Sequence, residues 1–195
     1  TLVSSSAASD VYKRQGKYYE KLNYAVGESH EPGSTFKLMA MVRALEDKVI
    51  DTSDVIDTKN GILSFYGRKV RDSKKGGYGK ISAARAFEVS SNTALVQIIN
   101  DNYQDKPEKF VEGLFDMKIN TPLGLPILGE GVPKFTHPND KVNWDGLDLP
   151  WMAFGYGISL TPLQTLTFYN AIANDGVMVK PRFIKEVKQF DQVVE

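Results

Sequence analysis

The spacing of apolar positions changes several times along the chain, and each change predicts an element. Tyr19, Leu22, Tyr24 and Val26, set among polar residues, predict an extended segment from Lys17 to Val26 that Pro32-Gly33 interrupts. From Ser34 onward Phe36, Leu38, Met39, Met41, Val42 and Leu45 are apolar. They cover enough of the circumference over roughly three turns to predict a largely buried helix. Asp47 to Asp57 is polar with β-branched insertions, a turn leading into a short strand, and Gly61, Gly67, Gly76, Gly77 and Gly79 mark 60–80 as hairpin and loop. Helices are expected from about Ser82 to Val89 and from about Thr93 to Asn100, with Ser90-Ser91-Asn92 between them. Another helix starts near Pro107, a favoured first-turn residue, and runs to about Met117. Residues 120–150 hold five prolines and four glycines and read as a long ordered loop. Thr161-Pro162-Leu163-Gln164 is a helix start, with Thr as cap, Pro at the first position and Gln three residues after the cap. That helix is expected to reach about Ala173. Asn174-Asp175-Gly176 then turns, and Val177 to Val187 alternates well enough for two strands around Pro181. Strands at both margins and helices between them predict a sheet closed by the two ends of the sequence around a helical insertion.

Composition narrows the chemistry. The 195 residues are 42% hydrophobic and 25% charged, as in globular proteins. Lys+Arg and Asp+Glu balance at 24 each, so no basic footprint points to nucleic acid or an acidic membrane surface. Cysteine is absent, which removes disulfides, thiolate nucleophiles and Cys-ligated zinc. His30 and His137 are the two histidines and form no H-x-x-x-H pair, so no metal site and no cofactor is expected, and a His-based triad has little support. No run of 18 apolar residues is present, and Thr1 to Ala8 lack the form of a signal peptide. Residues 6–15 resemble a translated sequencing adaptor, and residues 1–15 are expected to be a leader foreign to the fold. Residues 16–195 are then a partial domain, open at both ends.

Ser34-Thr35-Phe36-Lys37 is the first candidate for chemistry. A serine at a helix start gains from the positive end of the dipole as charge develops on Oγ, and a lysine three residues on lies on the same face. Serine needs a base, and a lysine serves if burial lowers its pKa enough to leave the amine neutral. The structural alternative is an N-cap serine and a solvated lysine. A Ser-x-x-Lys spacing arises about once by chance in a chain of this size, so spacing alone decides nothing. The apolar neighbours Phe36, Leu38 and Met39 tip the reading towards a buried lysine. Ser90-Ser91-Asn92 is the second candidate: a hydroxyl can relay a proton and a carboxamide can hold a peptide. Serine and asparagine are also ordinary residues of inter-helix turns, so this motif alone carries little.

Taken together, these segments resemble a family. Glu31-Pro32-Gly33-Ser34-Thr35-Phe36-Lys37 is similar to the nucleophile motif of class B penicillin-binding proteins. Val89-Ser90-Ser91-Asn92-Thr93 resembles that family's Ser-x-Asn motif, and Phe154-Gly155-Tyr156-Gly157 through Thr161-Pro162-Leu163-Gln164 resembles the segment before its third motif. The resemblance implies an α/β fold of the β-lactamase/transpeptidase type, an antiparallel sheet with a helical subdomain, truncated at the C-terminus. It implies that Ser34 attacks a D-alanyl-D-alanine stem peptide of peptidoglycan and that Lys37 deprotonates it. Ser90 would pass a proton to the departing D-Ala, and Asn92 would hold the substrate amide. β-Lactam antibiotics would trap the same serine. The third motif, Lys-Thr/Ser-Gly, would lie beyond residue 195, so the piece is expected to be inactive and unstable alone. Glu31 before Pro-Gly-Ser and the Phe-Gly-Tyr-Gly segment lean towards the division-specific branch. Members of that branch act on the extracytoplasmic, periplasmic face of the bacterial inner membrane, on a tether outside this piece and beside a lipid-II-polymerising glycosyltransferase and division proteins.

Two other readings stay open. A class A β-lactamase needs Glu-x-x-x-Asn between the second and third motifs, and none of Glu108, Glu112 and Glu130 has Asn four residues later. A lactamase with a carboxylated lysine, or a β-lactam sensor, would keep Ser34 and Lys37. A non-catalytic peptidoglycan-binding scaffold is the reading of another class, and intact Ser90 and Asn92 argue against it.

Overall fold

The computed structural model describes residues 9–14, 16–186, 188–189 and 192–193. Strand β1 (Ser9–Arg14) pairs antiparallel with β2 (Lys17–Asn23). Residues 1–8 and 15 of the segment expected to be a leader lie outside the described residues. The extended segment stops at Asn23, three residues before the expected end, because the Asn23 side chain accepts a hydrogen bond from Ala25 N and caps a short helix, α1 (Tyr24–Gly27).

The helix expected at Ser34 begins instead as a 3-10 turn, Gly33–Phe36, and becomes α-helical in α2 (Lys37–Glu46). A long polar connection follows, with β3 (Val55–Asp57), the hairpin β4 (Ile62–Phe65) and β5 (Arg68–Arg71), and β6 (Lys80–Ser82). β3 pairs with β6 and β4 with β5. Ser82 caps α3 (Ala83–Glu88), and Ser91 caps α4 (Asn92–Tyr103). α4 continues to Tyr103, past the expected Asn100, because its last turn buries the Tyr103 ring against Phe110 of α5 (Pro107–Asp116).

The stretch 120–150 is mostly loop, as its prolines and glycines predict, but it contains β7 (Lys134–Phe135) and the start of α6 (Asp148–Met152). β7 pairs with β8 (Ile158–Ser159). α7 (Pro162–Ala173) carries the expected capping box: Thr161 Oγ1 accepts from Gln164 N at 3.2 Å and Gln164 Oε1 accepts from Thr161 N at 2.8 Å.

Two expectations fail. Residues 177–186 form no strand, although their side chains alternate. Val177, Val179, Phe183 and Ile184 are exposed, and no described neighbour supplies a ladder of backbone partners. β9 (Lys188–Gln189) and β10 (Gln192–Val193) pair only with each other, so among the described residues no sheet joins the two ends of the chain. Every ladder that does form is antiparallel.

The core lies between α2, α4 and α5. Ala40 and Ala44 of α2 and Ala94 of α4 are fully buried, and side chains this small let the helices approach closely. Larger groups (Met39, Leu95, Ile99, Phe110, Leu114) fill the remaining space. The far end of α2 is tied down by Asp47. Its carboxylate accepts from the Tyr103 hydroxyl at 2.7 Å and from Arg43 Nε at 2.9 Å, makes a second contact with Arg43 Nη2, and lies 3.6 Å from Lys109 Nζ. Burial pushes the Asp47 carboxyl up, but the Tyr103 and Arg43 donors outweigh it and hold the group below the usual value. Among the described residues no helix is long and apolar enough to cross a membrane.

Candidate active site

The turn Gly33–Phe36 separates its residues by face. Ser34 and Thr35 are exposed, while Phe36 and Lys37 are buried, Lys37 to 1% of its surface. Phe36 packs on Phe135 of β7, with ring centroids 6.4 Å apart. This fixes the first turn of α2 and leaves the Ser34 side chain facing solvent.

A buried ammonium needs acceptors, and Lys37 Nζ has three. It donates to the Ser90 carbonyl at 2.6 Å, to Ser90 Oγ at 2.9 Å and to Asn92 Oδ1 at 2.6 Å. Burial lowers its pKa from 10.5 to about 8, with Asp72 opposing the shift. The neutral amine can use the same three contacts, keeping its two N–H groups on the Ser90 carbonyl and Asn92 Oδ1 and accepting from the Ser90 hydroxyl. Either protonation state therefore fits the pocket without rearrangement.

Ser90 owes its double contact to an unusual backbone. Its N–H bonds to the Phe87 carbonyl at 2.9 Å, and Ser91 N–H bonds to the Ala86 carbonyl at 2.9 Å, which is the Schellman closure of α3. The residue at this point of the motif is left-handed and is usually glycine; Ser90 has φ +54°. A serine there costs about 1–2 kcal/mol. The return is that carbonyl and hydroxyl of one residue both face Lys37.

Asn92 is the first residue of α4. Its Oδ1 faces Lys37 and its Nδ2 donates to the Arg71 carbonyl at 2.7 Å, so one N–H of the carboxamide is left over. The neighbouring residues are held by Asp72, at the end of the β4–β5 hairpin. Its Oδ1 accepts from Thr93 N and from Ser91 Oγ, each at 3.0 Å, and its Oδ2 accepts from Thr93 Oγ1 at 2.7 Å.

The structure thus brings Lys37, Ser90 and Asn92 together and leaves the Ser34 side chain exposed at the start of the same helix turn, with no hydrogen bond to Lys37. Sequence reasoning missed Asp72. It follows a short strand in a Gly- and Lys-rich stretch, and its partners lie some twenty residues further on, so no local pattern marks it. His30 takes part through its backbone, in a two-way bridge with Leu160 (3.0 and 2.9 Å).

The turn carrying Ser34 is clamped from the far end of the sequence. Gly33 N donates to the Gly155 carbonyl at 3.0 Å, and Gly157 N donates to Glu31 Oε1 at 2.9 Å. Tyr169 of α7 donates its hydroxyl to the Thr35 carbonyl at 2.9 Å. Gly155 has φ +88°, and a Cβ there would strike the Gly33 carbonyl, so only glycine lets the two segments meet. Among the described residues no cluster of His, Cys, Asp or Glu could hold a metal ion.

The family model of the penicillin binding protein transpeptidase domain matches residues 2–195. The chain belongs to this family. Penicillin-binding protein PbpB of Mycolicibacterium smegmatis is 32% identical over 165 residues, 84% of this chain and 24% of that protein. Stage V sporulation protein D of Bacillus subtilis is 27% identical over 164 residues, again 84% of this chain and 24% of the relative. The chain therefore spans about a quarter of the length of these curated relatives. Among solved structures, penicillin binding protein 3 of Mycobacterium tuberculosis, complexed with aztreonam, superposes with TM-score 0.71 at 29% identity, covering 86% of this chain and 36% of that one. A peptidoglycan synthetase from Bifidobacterium adolescentis gives TM-score 0.77 at 25% identity, covering 92% and 33%. These likenesses place the α/β transpeptidase-domain fold around the Lys37–Ser90–Asn92 cluster.

Proposed function

We propose that the chain is the acylating part of a peptidoglycan D,D-transpeptidase, with Ser34 as nucleophile, Lys37 as its base, Ser90 as proton relay and Asn92 as substrate holder. The observation that carries this reading is the buried Lys37 Nζ within 2.9 Å of Ser90 Oγ and 2.6 Å of Asn92 Oδ1. A surface lysine would have no use for two such partners. With a pKa of about 8, an appreciable fraction of Lys37 is the free amine near neutrality.

In the proposed reaction Ser34 Oγ bonds to the carbonyl carbon of the penultimate D-Ala while its proton passes to Lys37. The C–N bond to the terminal D-Ala then breaks, and the proton returns through Ser90 to the departing amine. An amine of a second stem peptide takes the acyl group, loses its proton by the reverse route and restores Ser34. The free N–H of Asn92 is placed to hold a peptide carbonyl of the donor strand. Ser34 and Lys37 draw together on substrate binding, as contacts of catalytic groups often tighten only in the complex. A β-lactam carries a strained amide that Ser34 opens in the same way, so β-lactams are proposed ligands. The names of the relatives, among them peptidoglycan D,D-transpeptidase FtsI of Escherichia coli, support this reading and its division-type branch. On this reading the protein acts outside the cytoplasmic membrane, beside a lipid-II-polymerising glycosyltransferase.

The test is intact mass after incubation with benzylpenicillin, carried out on the protein extended through the Lys-Thr/Ser-Gly motif. A stable adduct mapped to Ser34 is expected, and its absence would sink the reading. Rapid loss of the adduct would indicate a β-lactamase. Release of D-Ala with cross-link formation separates a transpeptidase from a β-lactam sensor.

A further inference from the structure

A cavity of about 400 Å³ opens at the opposite end of α4 from Asn92. The tip of the β4–β5 hairpin, the C-terminal turn of α4, the start of α5 and the segment 144–150 enclose it, and its walls include Phe65, Tyr66, Asn100, Gln104, Asp105 and Trp144. Two features set it apart from an ordinary crevice.

The first is Tyr66. It takes the first place of the two-residue turn between β4 and β5, with φ +48°, ahead of Gly67 at φ +80°. Such turns favour Asn-Gly, and a left-handed tyrosine costs about 1–2 kcal/mol. The ring is 83% exposed, so burial does not offset that cost, and it lies over Gly146, where a Cβ would meet the ring. Here an aromatic face is held open to solvent at the mouth of a cavity.

The second is the set of polar groups around it. The Trp144 indole N–H, the Tyr66 hydroxyl, the Gln104 Nε2 and the Asp105 carboxylate make no hydrogen bond to another described residue. Flat aromatic faces beside donors and acceptors of both kinds suit a ligand with an apolar C–H face and a rim of hydroxyl and amide groups. Asp105 and Asp145 line the cavity and no lysine, arginine or histidine does, which disfavours an anion. A purely apolar ligand would leave the polar rim without partners.

We infer that this cavity is a saccharide subsite that takes an uncharged N-acetylhexosamine of the glycan strand. The inference rests on the transpeptidase reading for its occupant, and length supports the pairing. Asn100 and Gln104 lie eight and twelve positions after Asn92, so the cavity is about 12–18 Å from Asn92 along the helix. A stem of four residues spans about 13–14 Å when extended. A strand whose sugar sits at the Asn100 end of the cavity can thus bring its stem peptide to Asn92, beside Lys37.

The experiment titrates tri-N-acetylchitotriose into the full chain and follows the two tryptophan indole N–H resonances, assigned with Trp144→Phe. A saturable shift at Trp144 with millimolar ligand is expected, with maltotriose weaker because it has no N-acetyl groups. Tyr66→Asn suits the left-handed turn and so keeps the fold. It should weaken chitotriose binding about tenfold and, in the protein extended through the third motif, leave penicillin acylation of Ser34 unchanged. No shift at Trp144, an equal response to maltotriose, or undiminished binding by Tyr66→Asn would overturn the inference. A protein extended through the third motif that binds chitotriose but is not acylated would overturn the transpeptidase reading, and with it the link to a stem peptide.

Discussion

Lys37 Nζ lies 2.6 Å from the carbonyl and 2.9 Å from the hydroxyl of Ser90, so one left-handed residue meets the lysine with both its backbone and its side chain. The two contacts can be separated by mutation. Ser90→Gly keeps the carbonyl and removes the backbone strain, so thermal stability should hold or rise by up to about 1 kcal/mol. In the protein extended through the third motif, acylation by penicillin should nevertheless slow about a hundredfold or more, because the proposed relay hydroxyl is gone. Ser90→Ala should be the less stable variant of the two. Melting curves and stopped-flow acylation check both halves.

The pH dependence follows from the lysine. In the proposed mechanism the active form is the neutral amine, so the acylation rate should climb with pH and level off above about 8. Asp72 favours the charged form of Lys37, so Asp72→Asn should move the midpoint to lower pH. Its plateau should also fall, since the amide NH2 that replaces Oδ2 cannot accept from the Thr93 hydroxyl as the carboxylate does. A profile that keeps its midpoint in Asp72→Asn would show that Asp72 acts on shape alone.

Gly155 and Gly157 offer a matched pair. Both have positive φ, but an added Cβ strikes the Gly33 carbonyl at 155 and meets nothing within 4 Å at 157. Gly155→Ala should cost roughly 2–3 kcal/mol and depress acylation even where the protein stays folded. Gly157→Ala should cost about 1 kcal/mol, from backbone strain alone, and acylate normally. Urea unfolding and burst titration with penicillin distinguish the two.

The tie at the far end of α2 should be a matter of stability only. Tyr103→Phe deletes the 2.7 Å bond to Asp47 and should cost about 1–2 kcal/mol with acylation unchanged. The Asp47 carboxyl is held below its ordinary 3.8, so its contribution is present above that pH and is lost as pH falls below it. Wild-type stability should therefore fall more steeply in acid than that of Tyr103→Phe, as read from urea midpoints across the pH range.

Local chemistry explains why some of the molecule was legible in the sequence and some was not. The cap, proline and glutamine at 161–164 act within one turn, and α7 forms where they predict it. The Ser-x-x-Lys and Ser-x-Asn motifs could be seen, and the resemblance paired them. Spacing alone could not reveal that Lys37 turns to Ser90 and Asn92 rather than to Ser34, because that direction is set by the closure of α3. Asp72 was invisible because its partners lie some twenty residues on, beyond β6 and α3. Alternation at 177–186 suggested strands, but a strand is defined by its neighbour, and side-chain pattern does not supply one.

The clamp on the serine turn also has a bearing on how the chain matures. Glu31, Gly33 and Thr35 find their partners at Gly157, Gly155 and Tyr169. During synthesis from the N-terminus, Ser34, Lys37, Ser90 and Asn92 have all been made well before those partners exist. The loop that joins them must close over more than half the sequence, a slow and late event by contact-order arguments. A nascent chain can therefore bring Lys37, Ser90 and Asn92 together early, while its serine gains its fixed setting only after α7 has emerged.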